Sequence, residues 1–218
     1  MSVVRLTSYR WVPSFAQGLV RDLPVRWALE EAGIGYREKL LPLEERNSTD
    51  HLESQPFGQV PVYEEGNLTL FESGAIVMHI GERSPVLLPT DPGRRARAIT
   101  WMFAALNSVE PHVQNLTTMD LFFSSEDWAK QRRPGVEQMV RARLQAVATA
   151  LGSSDYLEGE FTAGDLMMSC VLRFLRHTSM VADMPALATY LARCEARPAF
   201  HRALAAQMAS FAQYAPAA

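Results

Sequence analysis

The sequence predicts a small α/β domain followed by an all-helical one, on three observations. Apolar runs of strand length occur only before residue 84, interleaved with helical repeats. Three prolines in eight residues, Pro85, Pro89 and Pro92, then forbid continuous helix and read as a linker. Beyond them apolar residues recur at helical spacing and no segment reads convincingly as a strand. A chain of 218 residues has room for two domains that each bury a core, expected at 1–83 and 94–218 with a linker at 84–93.

Val3 to Thr7 is the first strand, and Ser8 to Asp22 a long connection. Pro24 suits the first turn of a helix whose Val25, Ala28, Leu29 and Ala32 share one face and which Gly33 ends. Tyr36 to Leu41 alternates like a strand, and Ser48 to Ser54 allows one helical turn. Gln59 to Tyr63 and Leu68 to Phe71 are strands joined by a hairpin turn at Glu64 to Asn67. A helix from Ser73, with Ile76, Val77 and Ile80 on one face, stops at Ser84-Pro85. The order is a βαβ unit followed by ββα.

In the second half, Arg94 to about Leu116 is one long helix that Pro111 should kink by crowding the Asn107 carbonyl. Val136 to Leu151 is another, ending at Gly152. Thr162 and Asp165 have the spacing of a reciprocal cap at the start of the least polar helix, a folding device rather than a site. Pro185 and Pro198 open two further helices, and Ala215 to Ala218 reads as a frayed end.

Chemistry is suggested by two spots, Pro61 and, eleven residues on, Glu72. Pro61 at a strand start removes a ladder donor, and a cis Val60-Pro61 bond would turn the Val60 peptide groups toward solvent as a free edge. Glu72 supplies a carboxylate, while Ser73 opens a helix whose first N–H groups attract anions. Together these suit a small peptide with both an α-amino and an α-carboxylate group.

Over nearly its whole length the chain resembles the glutathione transferase family, through Gln59-Val60-Pro61, Phe71-Glu72-Ser73 and the capped helix at Thr162. The resemblance implies a thioredoxin-like N-terminal domain and an all-helical C-terminal domain walling the space beside the sulfur. It implies that Gln59, Val60 and Pro61 pair with the cysteinyl backbone of glutathione and that Glu72 and Ser73 hold its γ-glutamyl end. Glutathione would be the co-substrate, joined to a small apolar electrophile by a homodimer.

Family members favour the thiolate with a hydroxyl or thiol near the start of the first helix, because only the ionised sulfur is a nucleophile. No cysteine precedes Cys170, which argues against thiol-exchange and C-x-x-C chemistry. Of Ser8, Tyr9 and Ser14, the first choice is Ser14 and the second Tyr9. The family serine, counted back from the helix, would fall near Gly18 or Leu19, a departure here. Backbone N–H groups aided by Arg10, Arg21 or Gln17 are the alternative. Trp11, Phe15, Trp27, Trp101, Ala105, Ser108 and His112 read as packing before pocket.

A net charge of −3 gives no reason to expect nucleic acid or an anionic membrane. Two cysteines in helical stretches and no signal-peptide or membrane-length apolar run point to a cytoplasmic protein. The five histidines lack metal-ligand spacing, so no metal is expected. The alternative functions are a glutathione-dependent isomerase, for which a Ser-Ser-Cys motif ahead of the first helix is missing, and a non-catalytic glutathione- or protein-binding module.

Overall fold

The computed structural model describes residues 3–216, so the last two residues of the Ala215–Ala218 tail lie outside it. β1 (Val4–Tyr9) and β2 (Tyr36–Leu41) pair in parallel, Val4 opposite Tyr36. A parallel pair needs a crossover, and α1 (Asp22–Ala32) supplies it, ending on Gly33 in the left-handed region. A 3-10 turn at Leu43–Asn47 leads into the short α2 (Thr49–Leu52). β3 (Val62–Glu65) runs antiparallel to β1, Thr7 opposite Val62, and β4 (Leu68–Leu70) closes a hairpin with Leu70 opposite Tyr63. The mixed sheet has the order β2-β1-β3-β4, and α3 (Ser73–Gly81) completes the expected thioredoxin-like arrangement.

Two strand boundaries differ from the sequence reading. β1 continues through Ser8 and Tyr9, because its ladder to β2 reaches Leu41 and the next residue still donates, Arg10 N–H to Leu41 O at 2.8 Å. β3 begins at Val62 rather than Gln59, since Pro61 has no N–H to give the ladder.

The chain divides into two compact units, one running to Leu87 and resuming at Arg197, the other spanning Leu88–Ala196. The sequence reading assigned every helix after residue 94 to the second domain, whereas α9 (Pro198–Gln213) packs on α1. Trp27 meets Phe200 edge-on at 4.9 Å, and both rings are buried. Arg197 grips the Glu31 carboxylate with two bonds of 2.6 and 2.8 Å. With α3 and α9 against it, α1 is buried from Asp22 through Leu29, so this helix lacks the solvent stripe of an ordinary surface helix.

The second unit is helical: α4 (Pro92–Phe103), α5 (Glu110–Phe122), α6 (Asp127–Leu151), α7 (Ala163–Arg173) and α8 (Pro185–Glu195). Pro111 does not bend a single α-helix. A π-helical stretch at Ala104–Val109 precedes it, so α5 restarts with the proline in its first turn, where a missing donor is harmless. At the start of α7 the expected reciprocal cap is present, Thr162 accepting from Gly164 N–H while Asp165 accepts from Thr162 N–H at 2.9 Å. Gly164 is required there, because a Cβ would lie 2.6 Å from Trp101 Cβ and 3.1 Å from the Ala98 carbonyl of α4. Trp101 is thereby packing, its indole N–H bonded to Glu158 at 3.2 Å.

Candidate functional site

Strand directions collect the candidate residues. β3 is antiparallel to both β1 and β4, so the start of β3 lies beside the ends of the other two. Tyr9, Val60-Pro61 and Glu72-Ser73 therefore share one end of the sheet. Phe57 and Phe71, on the two converging approaches, touch edge-on with ring centroids 6.1 Å apart.

The Val60–Pro61 peptide is cis. Among the described residues neither the N–H nor the C=O of Val60 has a backbone partner, in keeping with the expected free edge, although the Val60 side chain is buried. The turn before it is held by residues that the sequence reading did not single out. His51 of α2, buried, donates from Nε2 to the Gln59 carbonyl at 2.7 Å. The Gln55 side chain accepts from Phe57 N–H at 2.7 Å. Gly58 has φ +62°, and a Cβ on it would come within 2.4 Å of Asn47 Oδ1. The approach of α2 to this turn gives His51 its role, while Gln55 acts locally on the backbone two residues on; neither apolar spacing nor periodicity announces them.

Ser73 is buried in the first turn of α3, and Glu72 precedes it, exposed, with φ +68° and ψ 112°. No side chain caps this helix and no acidic residue stands in its first turn, so no side-chain acceptor or carboxylate there offsets the partial positive charge of its start.

The hydroxyl candidates separate. Ser8 is buried and accepts from Arg26 at 2.9 Å, which removes it. Tyr9 is half-buried and its hydroxyl reaches the Gly58 carbonyl at 3.5 Å. Burial pushes its phenol pKa up, with Arg46 opposing, so it stays a neutral donor. Ser14 is exposed in a run of turns leading to α1. Gly18 is buried with φ +76°. Of the alternative helpers, Arg10 lies over the Tyr214 ring at 5.6 Å, and Gln17 donates to the Val12 carbonyl at 3.0 Å.

Beneath the loop runs a buried ionic network absent from the sequence reading. Arg26 bonds Asp22 at 2.5 Å, also pairs with Glu38, and reaches Ser8; Gln207 of α9 donates to Asp22 at 2.8 Å. Burial alone would lower the Arg26 pKa, but Asp22, Tyr36 and Glu38 raise it further, so it holds its charge and anchors the α1 start.

Comparison with known proteins gives the frame its family. Residues 16–82 match the family described as glutathione S-transferase, N-terminal domain. Glutathione S-transferase of Hyoscyamus muticus is 31% identical over 162 residues, 68% of this chain and 75% of that protein. Glutathione S-transferase F14 of Arabidopsis thaliana is 30% identical over 66% of this chain, which spans 62% of its length. In fold, a glutathione transferase family member from Pseudomonas fluorescens, solved with two glutathione bound, superposes with TM-score 0.82 at 22% identity, covering 93% of this chain and 92% of that one. On the strength of the Hyoscyamus relative and the matched domain, this chain belongs to the glutathione S-transferase family.

Proposed function

We propose that this protein binds glutathione at the shared end of β1, β3 and β4 and adds its thiolate to a small apolar electrophile, as a cytoplasmic homodimer. The observation that supports this most is that the Val60–Pro61 edge and Glu72-Ser73, at a helix start without a side-chain cap, lie at the same end of the sheet. Gln59, Val60 and Pro61 pair with the cysteinyl backbone. Glu72 takes the γ-glutamyl ammonium, and Ser73 with the first α3 N–H groups takes its carboxylate. The thiol gives its proton to solvent, and a hydroxyl donor favours the thiolate that remains. Sulfur then forms a bond to carbon while the leaving group departs with its electron pair. Ser14 is the preferred donor, being exposed on the loop into α1, and Tyr9 the second. Exposed Phe57 and Phe71 supply an apolar edge for a second copy.

A non-catalytic glutathione-binding module is the second reading. It is favoured by the stretch near Gly18 or Leu19, where the family serine would fall: neither residue carries a hydroxyl, and at Gly18 a side chain at φ +76° would be strained.

Calorimetric titration of glutathione and S-hexylglutathione tests the site. We expect both to bind, the hexyl form more tightly, and Glu72→Ala and Ser73→Ala each to weaken binding by roughly tenfold with the fold intact. Unchanged affinity in both variants removes the ligand assignment. Binding without turnover of any electrophile tried favours the second reading.

A further inference from the structure

The connection between β1 and α1 carries Ser14, and both of its ends are tied into one buried cluster. At the β1 end, Arg26 donates to Ser8 Oγ at 2.9 Å, one residue before Tyr9. At the α1 end, Arg26 donates to Asp22 Oδ2 at 2.5 Å. Gln207 of α9 completes this second tie, its Nε2 donating to Asp22 Oδ1 at 2.8 Å and to the Val20 carbonyl at 3.3 Å. Ser8, Asp22, Arg26 and Gln207 are all buried, and all lie in the unit that resumes at Arg197. From Val20 the hold reaches back along the connection by consecutive turns. Ala16 N–H donates to the Pro13 carbonyl at 2.9 Å, Gln17 N–H to the Ser14 carbonyl at 3.3 Å and Leu19 N–H to the Ala16 carbonyl at 3.0 Å. With these turns closed, the place of Ser14 depends on where Val20 is held.

Packing alone gives no reason for an amide at Gln207. Its Oε1 is buried with no hydrogen-bond partner among the described residues, although its Nε2 makes two bonds. A buried acceptor left unpaired is unfavourable, and methionine would fill much the same space without one. The amide is explained by what its donor end holds. Burial pushes the Asp22 pKa up, and Arg26 and the Gln207 donor pull against it, so the Gln207 bond helps Asp22 stay charged opposite Arg26.

We propose that Gln207 is a positioning residue for the thiol: with Asp22 and Arg26 it fixes the span of the β1–α1 connection and so holds Ser14 in place to donate to the glutathione sulfur. The proposal rests on the glutathione reading above. A hydroxyl bonded to the ionised sulfur favours ionisation, and such a bond weakens steeply once its distance or angle is lost. A loosened connection therefore loses thiol ionisation before it loses the peptide, whose contacts belong to Val60-Pro61 and Glu72-Ser73.

Gln207→Met removes both bonds while nearly keeping the volume. The ultraviolet absorbance of the thiolate of bound glutathione, followed against pH, is expected to show the thiol ionisation constant reduced roughly tenfold in this variant. S-hexylglutathione has no thiol proton, and calorimetry should find its affinity for the variant within about twofold of the native value. An unchanged ionisation constant overturns the proposal, and so does a parallel loss of S-hexylglutathione affinity, which marks damage to the whole site. Failure of the native protein to bind either ligand instead overturns the glutathione reading, and this proposal with it. Should the variant not fold, amide hydrogen exchange on the native protein decides. Protection of Ala16, Gln17 and Leu19 comparable to that of α1 supports the clasp, and free exchange overturns it.

Discussion

At Glu72 the backbone takes φ +68°, the left-handed side of the map, on a residue with a Cβ. Such a conformation costs on the order of 1–3 kcal/mol and persists only where its surroundings hold it. Here β4 ends and α3 begins within three residues, Leu70 to Ser73, and the Glu72 carbonyl accepts the Ile76 N–H at 3.0 Å. The strained residue turns the chain from strand into helix within those few residues. The thiol donor is decided at the same scale. If Ser14 donates to the sulfur, Ser14→Ala raises the thiol pKa, and the rising limb of the pH–rate profile moves to higher pH. Tyr9→Phe should leave that limb in place, since the Tyr9 hydroxyl is directed to the Gly58 carbonyl. A shift with Tyr9→Phe and none with Ser14→Ala would reverse the two assignments.

Among the elements, the start of α7 carries the strictest requirements. Asp165 is buried, and its carboxylate accepts from Leu157 N–H, Thr162 N–H and the Tyr190 hydroxyl at 2.9, 2.9 and 3.0 Å. Burial pushes its pKa up, and these three donors with the Thr162 hydroxyl pull against it. Thr162→Ala removes one capping acceptor and should cost about 1 kcal/mol in urea unfolding. Asp165→Ala strands several buried donors at once, and about 3–5 kcal/mol is expected. Equal losses in the two variants would show that the cap rather than the buried network governs this helix. The route from α4 to α5 solves a different problem. A π-helical stretch shifts the hydrogen-bond pattern ahead of Pro111, so the helical path continues past a residue that would otherwise interrupt it.

Over the whole molecule, the last helix completes the first unit. Removing everything after Ala196 would uncover Trp27 and Asp22, which α9 reaches through Phe200 and Gln207. Such a chain is expected to lose glutathione binding and the near-ultraviolet circular dichroism of Trp27. Retention of both would mean that the first unit folds without α9. In the second unit, Asp120 of α5 bonds Arg133 of α6 at 2.6 and 3.0 Å and faces His177 at 3.2 Å. Burial pushes the Asp120 pKa up, but the bonds and charges of Arg133 and His177 outweigh it and leave it below the usual value. A depressed carboxyl pKa stabilises the fold above the unfolded value of about 3.9 and loses that contribution as pH falls through the folded pKa. Asp120→Asn should therefore lower stability by about 1 kcal/mol at neutral pH, with the difference vanishing near pH 2. A difference that persists in acid would point to packing instead.

Local rules were enough for much of this chain. Period and punctuation placed β2 at Tyr36–Leu41, ended α1 on Gly33 and marked the α7 cap, because each depends on neighbours within a few residues. That Val60-Pro61 and Glu72-Ser73 lie at one end of the sheet was legible too, since a short hairpin separates them. What the chain does over long separations was not. The Arg26 network joins α1 to β1, β2 and α9, and His51 supports the Gln59 turn from another element. The sequence shows that a charged residue sits on an apolar helix; only the tertiary structure supplies the partners that offset its desolvation. The sequence likewise determined that α9 is a helix, and packing alone decided that it belongs against α1, because an amphipathic stripe specifies that a face must be covered and not which surface covers it.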